Sequence, residues 1–339
     1  MNANEYYYRR VIGAIGGTML LFLLLINAFG LLIGFFDILL TVFAESQVGY
    51  TVAYQMIYGA GYLASFMIPV AFLKSRIKRA GFSYQPMETS IRVTPWLPLI
   101  VLAGIATVLS TAYINSSIVS IFDYSDFSSE VLWGATAQAP AAYELVLEFI
   151  VMCLVPGFCE EFLFRGAILT NLRPFGHSTA VLVSAFLFAM MHQNAEQLLY
   201  TFAAGIVLGI VYEMTGSIWC CTVLHVLNNF VSVVESTLFF KFPDPVTSSL
   251  AVSIFEMLLI ALGVISAAIL VARFFSKRNT LRDGMFGKSL PVADGYAVCP
   301  IDAGRAKKLF FTPTMIIFLI LAVGQMLFLL LMAVLYGLF

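Results

Sequence analysis

The stretch LVLEFIVMCLVPGFCEEFLFRGAILTNL, residues 145–172, decides how the chain folds. It is apolar over a length that can cross a bilayer as one helix, which takes about 20 residues. Near its middle, however, it carries three charged side chains, Glu160, Glu161 and Arg165. Charges at membrane depth are costly unless they are paired or take part in function. The stretch therefore predicts a transmembrane helix that carries a functional site.

The composition of the whole chain agrees with a membrane protein. Of its 339 residues, 61% are hydrophobic and 11% are charged, and the mean hydropathy is +0.94. Soluble domains carry about a quarter charged residues. The net charge of −1 and the lack of a basic patch give no reason to expect a nucleic-acid partner. We expect a lipid bilayer around the protein, and nothing in the sequence predicts an oligomeric state.

Further apolar runs predict an all-α, polytopic transmembrane helix bundle of eight to nine spans. The predicted spans are 11–36, 49–73, 95–121, 144–171, 178–193, 198–214, 218–240, 248–272 and 309–338. The predicted organisation is a membrane domain over 1–272, with its core at 144–240, a cytoplasmic linker over 273–308 and a C-terminal transmembrane helix over 309–339. We thus expect one membrane domain, followed by a linker and one additional transmembrane helix.

The distribution of basic residues predicts the orientation. Of 18 Lys and Arg residues, all but Arg165 and Lys241 fall on the side of the N-terminus when the predicted spans alternate in direction. Lys and Arg are enriched in cytoplasmic loops of membrane proteins. We therefore expect a multi-pass integral membrane protein with a cytoplasmic N-terminus, and the bacterial cell membrane as its location.

The charged residues of the fourth span divide into a pair and a single carboxylate. Glu161 and Arg165 are four residues apart and so share a helix face, where they can form an ion pair. Glu160 points about 100° away from Glu161. The spacing predicts that the pair supports the structure and that Glu160 faces a cavity.

Three polar residues on other spans are predicted to reach a similar depth. His192 ends the fifth span, and His225 and Asn229 lie four residues apart on one face of the seventh. Counting 1.5 Å per residue from the span ends places all three in the interior of the bilayer, near Glu160. Because a buried polar group without partners is unfavourable, we expect these groups to converge.

A carboxylate, two imidazoles and an amide around a water molecule are typical of hydrolysis. Glu160 could act as the general base and His192 could position the water. His225 and Asn229 could then stabilise the oxyanion of a tetrahedral intermediate. A zinc ion held by Glu160, His192 and His225 is an alternative, although the chain has no HExxH motif. No cofactor is otherwise expected.

These residues resemble the signature of the CAAX-protease and bacteriocin-processing (CPBP, or Abi) family of intramembrane proteases. The family motifs EExxxR, FxxxH and HxxxN stand here as Glu160-Glu161…Arg165, Phe188…His192 and His225…Asn229. The resemblance implies an α-helical membrane endopeptidase acting on a peptide or protein substrate. It also implies Glu160 as the base with His192 as its partner, and His225 and Asn229 as oxyanion donors. Some members are regarded as metalloproteases, whereas the Ras-converting relatives resemble glutamate-dependent enzymes.

Two other functions remain open from the sequence. The same family includes non-catalytic bacteriocin-immunity or scaffolding proteins, and such a protein would keep the fold without the activity. A proton-coupled transporter could use Glu160 and the additional membrane carboxylate Glu256 as a relay. Against the transporter, the chain shows no inverted repeat.

Overall fold

The computed structural model is all-α and describes residues 1–43, 46–89, 95–119, 141–242, 244–275 and 301–336. Within these ranges it contains ten helices and no strand. The helices are α1 Ala3–Phe43, α2 Gln47–Arg79, α3 Leu97–Val119, α4 Ala142–Phe175, α5 His177–Met191, α6 Ala195–Thr215, α7 Ile218–Lys241, α8 Pro245–Phe275, α9 Ala303–Phe310 and α10 Pro313–Tyr336. The predicted fold class is therefore confirmed.

Among the described residues, eight helices are long and apolar enough to cross a membrane, so the protein is an integral membrane protein. The fifth predicted span is the exception, since α5 has only 15 residues. At 1.5 Å per residue it is about 22 Å long, less than the thickness of a bilayer core. A short turn at His192–Asn194 joins it to α6, so His192 lies at the tip of a helical hairpin.

The C-terminal part contains one short helix that the sequence did not predict. α8 extends to Phe275 and α9 occupies Ala303–Phe310, where the side chain of Asp302 caps the helix by accepting bonds from Gly304 N and Arg305 N. The predicted linker over 273–308 thus ends in a short helix, and its residues 276–300 lie outside the described part of the chain.

Two glycines bring helices into close contact around the middle of α4. A Cβ atom at Gly157 would lie 2.6 Å from Cγ2 of Val226, so α4 and α7 touch there. A Cβ atom at Gly205 would lie 2.8 Å from Cα of Ala185, so α5 and α6 are equally close. Small residues permit such approaches in membrane helices, where packing rather than the hydrophobic effect holds helices together. These contacts position the helices that carry the polar residues.

α4 is not a regular α-helix. Its segments Phe149–Leu154 and Phe162–Leu169 are π-helical, and the α-helical turn between them, Val155–Glu161, carries Pro156 and both glutamates. π-Helical turns are rare and occur frequently at functional sites. A loosened helix near Pro156 is expected, because proline has no backbone N–H to donate.

Candidate active site

Glu160 lies near the middle of α4 and is 4% exposed. Its Oε1 accepts a hydrogen bond of 2.5 Å from the hydroxyl of Tyr62 on α2. Its Oε2 is buried without a hydrogen-bond partner, 3.8 Å from Nε2 of His225. One oxygen is therefore held by the protein, and the other can accept a proton from a water molecule.

The buried carboxylate of Glu161 has two partners, Arg165 and His225. Its Oε1 accepts from Nη1 of Arg165 at 2.9 Å and lies 2.8 Å from Nδ1 of His225. Nη2 of Arg165 donates to the carbonyl of Gly205 at 3.1 Å, and the guanidinium lies 4.6 Å from the ring centre of Phe188. The ion pair expected from the four-residue spacing is present, and it also links α4 to α6 and α7.

The partners of the two histidines determine which ring nitrogen is available. Nδ1 of His225 faces the Glu161 carboxylate, and Nδ1 of His192 lies 2.8 Å from the carbonyl oxygen of Phe188. A carbonyl or carboxylate oxygen only accepts, so each Nδ1 carries the proton. The Nε2 atom of each imidazole is left for other contacts.

The turn after His192 has an uncommon backbone conformation. Gln193 has φ 52°, in the left-handed region that few residues other than glycine adopt. Its side chain is buried, and its Nε2 donates to the carbonyl of Met191 at 3.1 Å. This bond stabilises a sharp turn that ends α5 at His192.

Asn229 makes a contact that the sequence does not predict. Its Nδ2 donates to the carbonyl oxygen of Met152 on α4 at 3.1 Å. In an α-helix that oxygen would accept from residue 156, but Pro156 has no N–H. One donor of Asn229 therefore satisfies the carbonyl left open by the proline, and a second N–H of the amide remains.

The contact between Asn229 and Met152 predicts an energetic link to Pro156. Replacing Asn229 by alanine should lower the free energy of unfolding by about 1–3 kcal/mol, because the Met152 carbonyl loses its partner in the membrane interior. In a Pro156→Ala background the loss should shrink, since residue 156 can then donate. Reversible unfolding in mixed micelles measures this double-mutant cycle. Asn228→Ala is the matched control, and equal losses for Asn229→Ala in both backgrounds would contradict the link.

The four predicted site residues line one cavity of about 340 Å³. Glu160, His192, His225 and Asn229 contribute to its wall from α4, the end of α5 and α7. Glu161 and Arg165 lie behind it and do not line it. The remaining polar side chains of the wall are Tyr58, Tyr62, Gln197, Tyr200, Thr201 and Asn228. The cavity thus brings a cluster of polar side chains together with apolar ones inside an apolar bundle.

The geometry gives little support to a zinc centre. No group of three His, Cys, Asp or Glu side chains within the described ranges stands close enough together to hold a metal ion. The hydrogen bonds to Nδ1 of both histidines are of the kind that metal ligands make. The spacing of Glu160, His192 and His225 nevertheless does not fit, and we derive no step through a metal.

The sequence did not predict the role of Tyr62, which donates a hydrogen bond to Glu160. The sequence nevertheless contains a pattern that indicates such a role. Tyrosines recur every fourth residue along α2, at Tyr50, Tyr54, Tyr58 and Tyr62, and so form one polar stripe in an apolar span. Such a stripe predicts a face turned towards other polar groups.

The comparisons with known proteins concern the part of the chain that carries the cavity. Residues 142–231 match the family model described as type II CAAX prenyl endopeptidase Rce1-like. The matched segment runs from the start of α4 into α7 and contains Glu160, His192, His225 and Asn229. No curated protein and no solved structure matches the chain.

Proposed function

We propose that the protein is a CAAX-type membrane protease, as the family match over residues 142–231 suggests, and that it hydrolyses peptide bonds with a water molecule activated by Glu160. One observation carries the proposal. At the cavity wall, Oε2 of the buried Glu160 has no hydrogen-bond partner and lies 3.8 Å from Nε2 of His225. A general base needs this arrangement, in which the base is fixed but still able to accept a proton.

In the proposed first step, a water molecule lies between Glu160 and His192. Oε2 of Glu160 takes a proton from the water while the water oxygen attacks the carbonyl carbon of the peptide. Nε2 of His192 is an acceptor when Nδ1 carries the proton, so it can hold the second hydrogen of the water. The proton on Glu160 then passes to the leaving amine.

His225 and Asn229 are proposed to stabilise the oxyanion. Glu160, Glu161 and Arg165 together leave one uncompensated negative charge in the buried cluster, and a doubly protonated His225 would neutralise it. In that form Nε2–H of His225 can donate to the oxyanion. The second N–H of Asn229, the one not used by Met152, can do the same. The roles of both residues remain predictions.

The other functions have less support. Glu256, which suggested a transporter, accepts a hydrogen bond from Tyr113 and does not line the cavity. A non-catalytic protein of the same fold would have no need of an unpaired carboxylate oxygen in this cavity. We therefore favour the endopeptidase, with a peptide or protein as its substrate.

Cleavage of a quenched fluorescent peptide library by detergent-purified protein tests the proposal. Wild-type protein should cleave at least one class of peptide, and a strong chelator should leave the rate unchanged. Loss of activity with the chelator and recovery with zinc would contradict the metal-free mechanism. A complete lack of cleavage by the wild-type protein would favour the non-catalytic function. So would a cellular phenotype of the gene deletion that Glu160→Gln restores as well as the wild type does.

The hydrogen bond from Tyr62 predicts a loss of activity when the hydroxyl is removed. The hydroxyl binds Oε1 of Glu160 and so orients the carboxylate in the cavity. In Tyr62→Phe this contact is lost, and kcat for peptide cleavage should fall by about tenfold, the equivalent of one hydrogen bond to a charged group. The measurement is the cleavage rate of the best peptide from the library.

The control for this prediction is Tyr54→Phe, which removes a hydroxyl from the same stripe of α2 but from a residue that does not line the cavity. Its cleavage rate should match the wild type. An unchanged rate in Tyr62→Phe, or an equal loss in both variants, would show that Tyr62 does not act on Glu160.

A further inference from the structure

A second cavity, of about 430 Å³, lies away from the active site, where α1, α2 and the start of α10 meet. Three arginines line it, Arg9 and Arg10 from α1 and Arg76 from α2. Its wall also contains the hydroxyl-bearing residues Tyr6, Thr312 and Thr314. The cavity combines positive charge with hydrogen-bond donors, as binding sites for phosphate groups do.

The positive charge of this cavity is not balanced by the described part of the protein. No carboxylate there lies within ion-pair distance of Arg9, Arg10 or Arg76. Arg10 donates from Nε to the hydroxyl of Tyr6 at 3.0 Å, and this contact leaves its charge uncompensated. An anion is therefore the natural occupant.

The nearby carboxylate on α1 is engaged elsewhere. Both oxygens of Glu5 accept from Arg305 on α9, at 2.8 and 3.0 Å. The Glu5 carboxylate also raises the pKa of Arg305. Neither residue lines the cavity. The three arginines therefore keep their charge available for a ligand.

The floor of the cavity is built by a close contact between α1 and α10. A Cβ atom at Gly16 would lie 2.6 Å from the backbone nitrogen of Met315, and Thr314 donates to the carbonyl of Gly13 at 2.8 Å. The N-terminus of α10 therefore reaches the arginines of α1. The positive end of its helix dipole adds to their field.

The surroundings favour a lipid over a free phosphate ion. On α10, the exposed side chains of Ile316, Ile317 and Ile320 follow directly after Thr314. On α1 the apolar run begins at Val11, one residue after Arg10. The arginines therefore lie at the level where a hydrophobic span begins, with an apolar surface below them along which acyl chains can pack.

We propose that this cavity binds the headgroup phosphate of an anionic phospholipid. The arginines hold the phosphate oxygens, and the acyl chains pack on the exposed isoleucines of α10. The proposal concerns a site separate from the proposed active site and does not depend on the peptidase activity.

Native mass spectrometry of the full-length protein in detergent, with defined lipids added, tests the proposal. The probes are phosphatidylglycerol, phosphatidylcholine and inorganic phosphate. Wild-type protein should retain phosphatidylglycerol in preference to phosphatidylcholine. Arg9→Gln/Arg76→Gln should weaken the retention of phosphatidylglycerol by about 100-fold, since each charge-assisted hydrogen bond to a phosphate contributes about tenfold.

The matched control is Lys74→Gln/Arg79→Gln, which removes the same charge from the same end of α2 at residues that do not line the cavity. It should retain phosphatidylglycerol like the wild type. Equal weakening in both double variants would overturn the proposal in favour of diffuse surface charge. Displacement of the lipid by millimolar phosphate would overturn it in favour of a soluble anion. If the glutamine variant does not fold, Arg9→Lys/Arg76→Lys, which keeps the charge, replaces it in the same measurement.

Discussion

Replacing Glu160 with glutamine should reduce peptide cleavage by two to four orders of magnitude, the usual contribution of a positioned general base (about 10²–10⁴-fold). Glutamine keeps the size of the side chain and can still accept the hydrogen bond of Tyr62, but its amide cannot take a proton from water. The loss should therefore appear in kcat, with KM changed little. The measurement is the cleavage rate of the best peptide from the library.

A second carboxylate on the same helix provides the control. Glu148 lies on α4, twelve residues before Glu160, and does not line the cavity. Glu148→Gln should cleave at the wild-type rate. If Glu160→Gln retains more than a tenth of the wild-type rate while its unfolding is normal, Glu160 is not the general base.

Replacing Arg165 with glutamine should lower the free energy of unfolding by about 3–5 kcal/mol. The change leaves Glu161 with His225 as its remaining partner, in a site where the side chains of Glu161 and Arg165 are both 0% exposed. It also removes the bond to the carbonyl of Gly205, which ties α4 to α6. Reversible unfolding of the purified protein in mixed micelles gives the change in free energy.

Two further variants separate charge from geometry at Arg165. Arg165→Lys keeps the charge but not the fork that reaches both Glu161 and Gly205, so its loss should be smaller than that of glutamine. In Glu161→Gln/Arg165→Gln both charges are gone, and the loss should be less than the sum of the single changes. A loss below 1 kcal/mol for Arg165→Gln would show that the ion pair does not stabilise the fold.

The sequence was most informative where polarity is exceptional in an apolar chain. Glu160, His192, His225 and Asn229 stand out because few other polar groups are predicted at their depth, and the structure places all four around one cavity. Helix existence was equally predictable, because a membrane span requires a long apolar run. Both inferences depend on the cost of polar groups in lipid, which is large.

Contacts between side chains on different helices were not predictable in the same way. The bond from Asn229 to Met152 depends on the rotation of α7 against α4, at a place where Gly157 and Val226 bring the two helices into close contact. The segment 178–193 was counted as a span because its composition is apolar, although it is short, and the structure gives it a helix of 15 residues. The periodicity of a sequence predicts that a segment is helical and apolar, but it does not predict which other helices that segment contacts.

The π-helical turns of α4 determine where the chain length of this helix can change. A π turn closes i→i+5 and so holds one residue more than an α turn, which closes i→i+4. Deleting one residue from Phe149–Leu154 or from Phe162–Leu169 would therefore replace a π turn by an α turn and leave the two halves of α4 in nearly the same register. The α-helical segment Val155–Glu161 has no such extra residue, and a deletion there would rotate Glu160 against one of its flanks by about 100°. Among related sequences, changes of length should therefore be tolerated better in the two π-helical segments than between them.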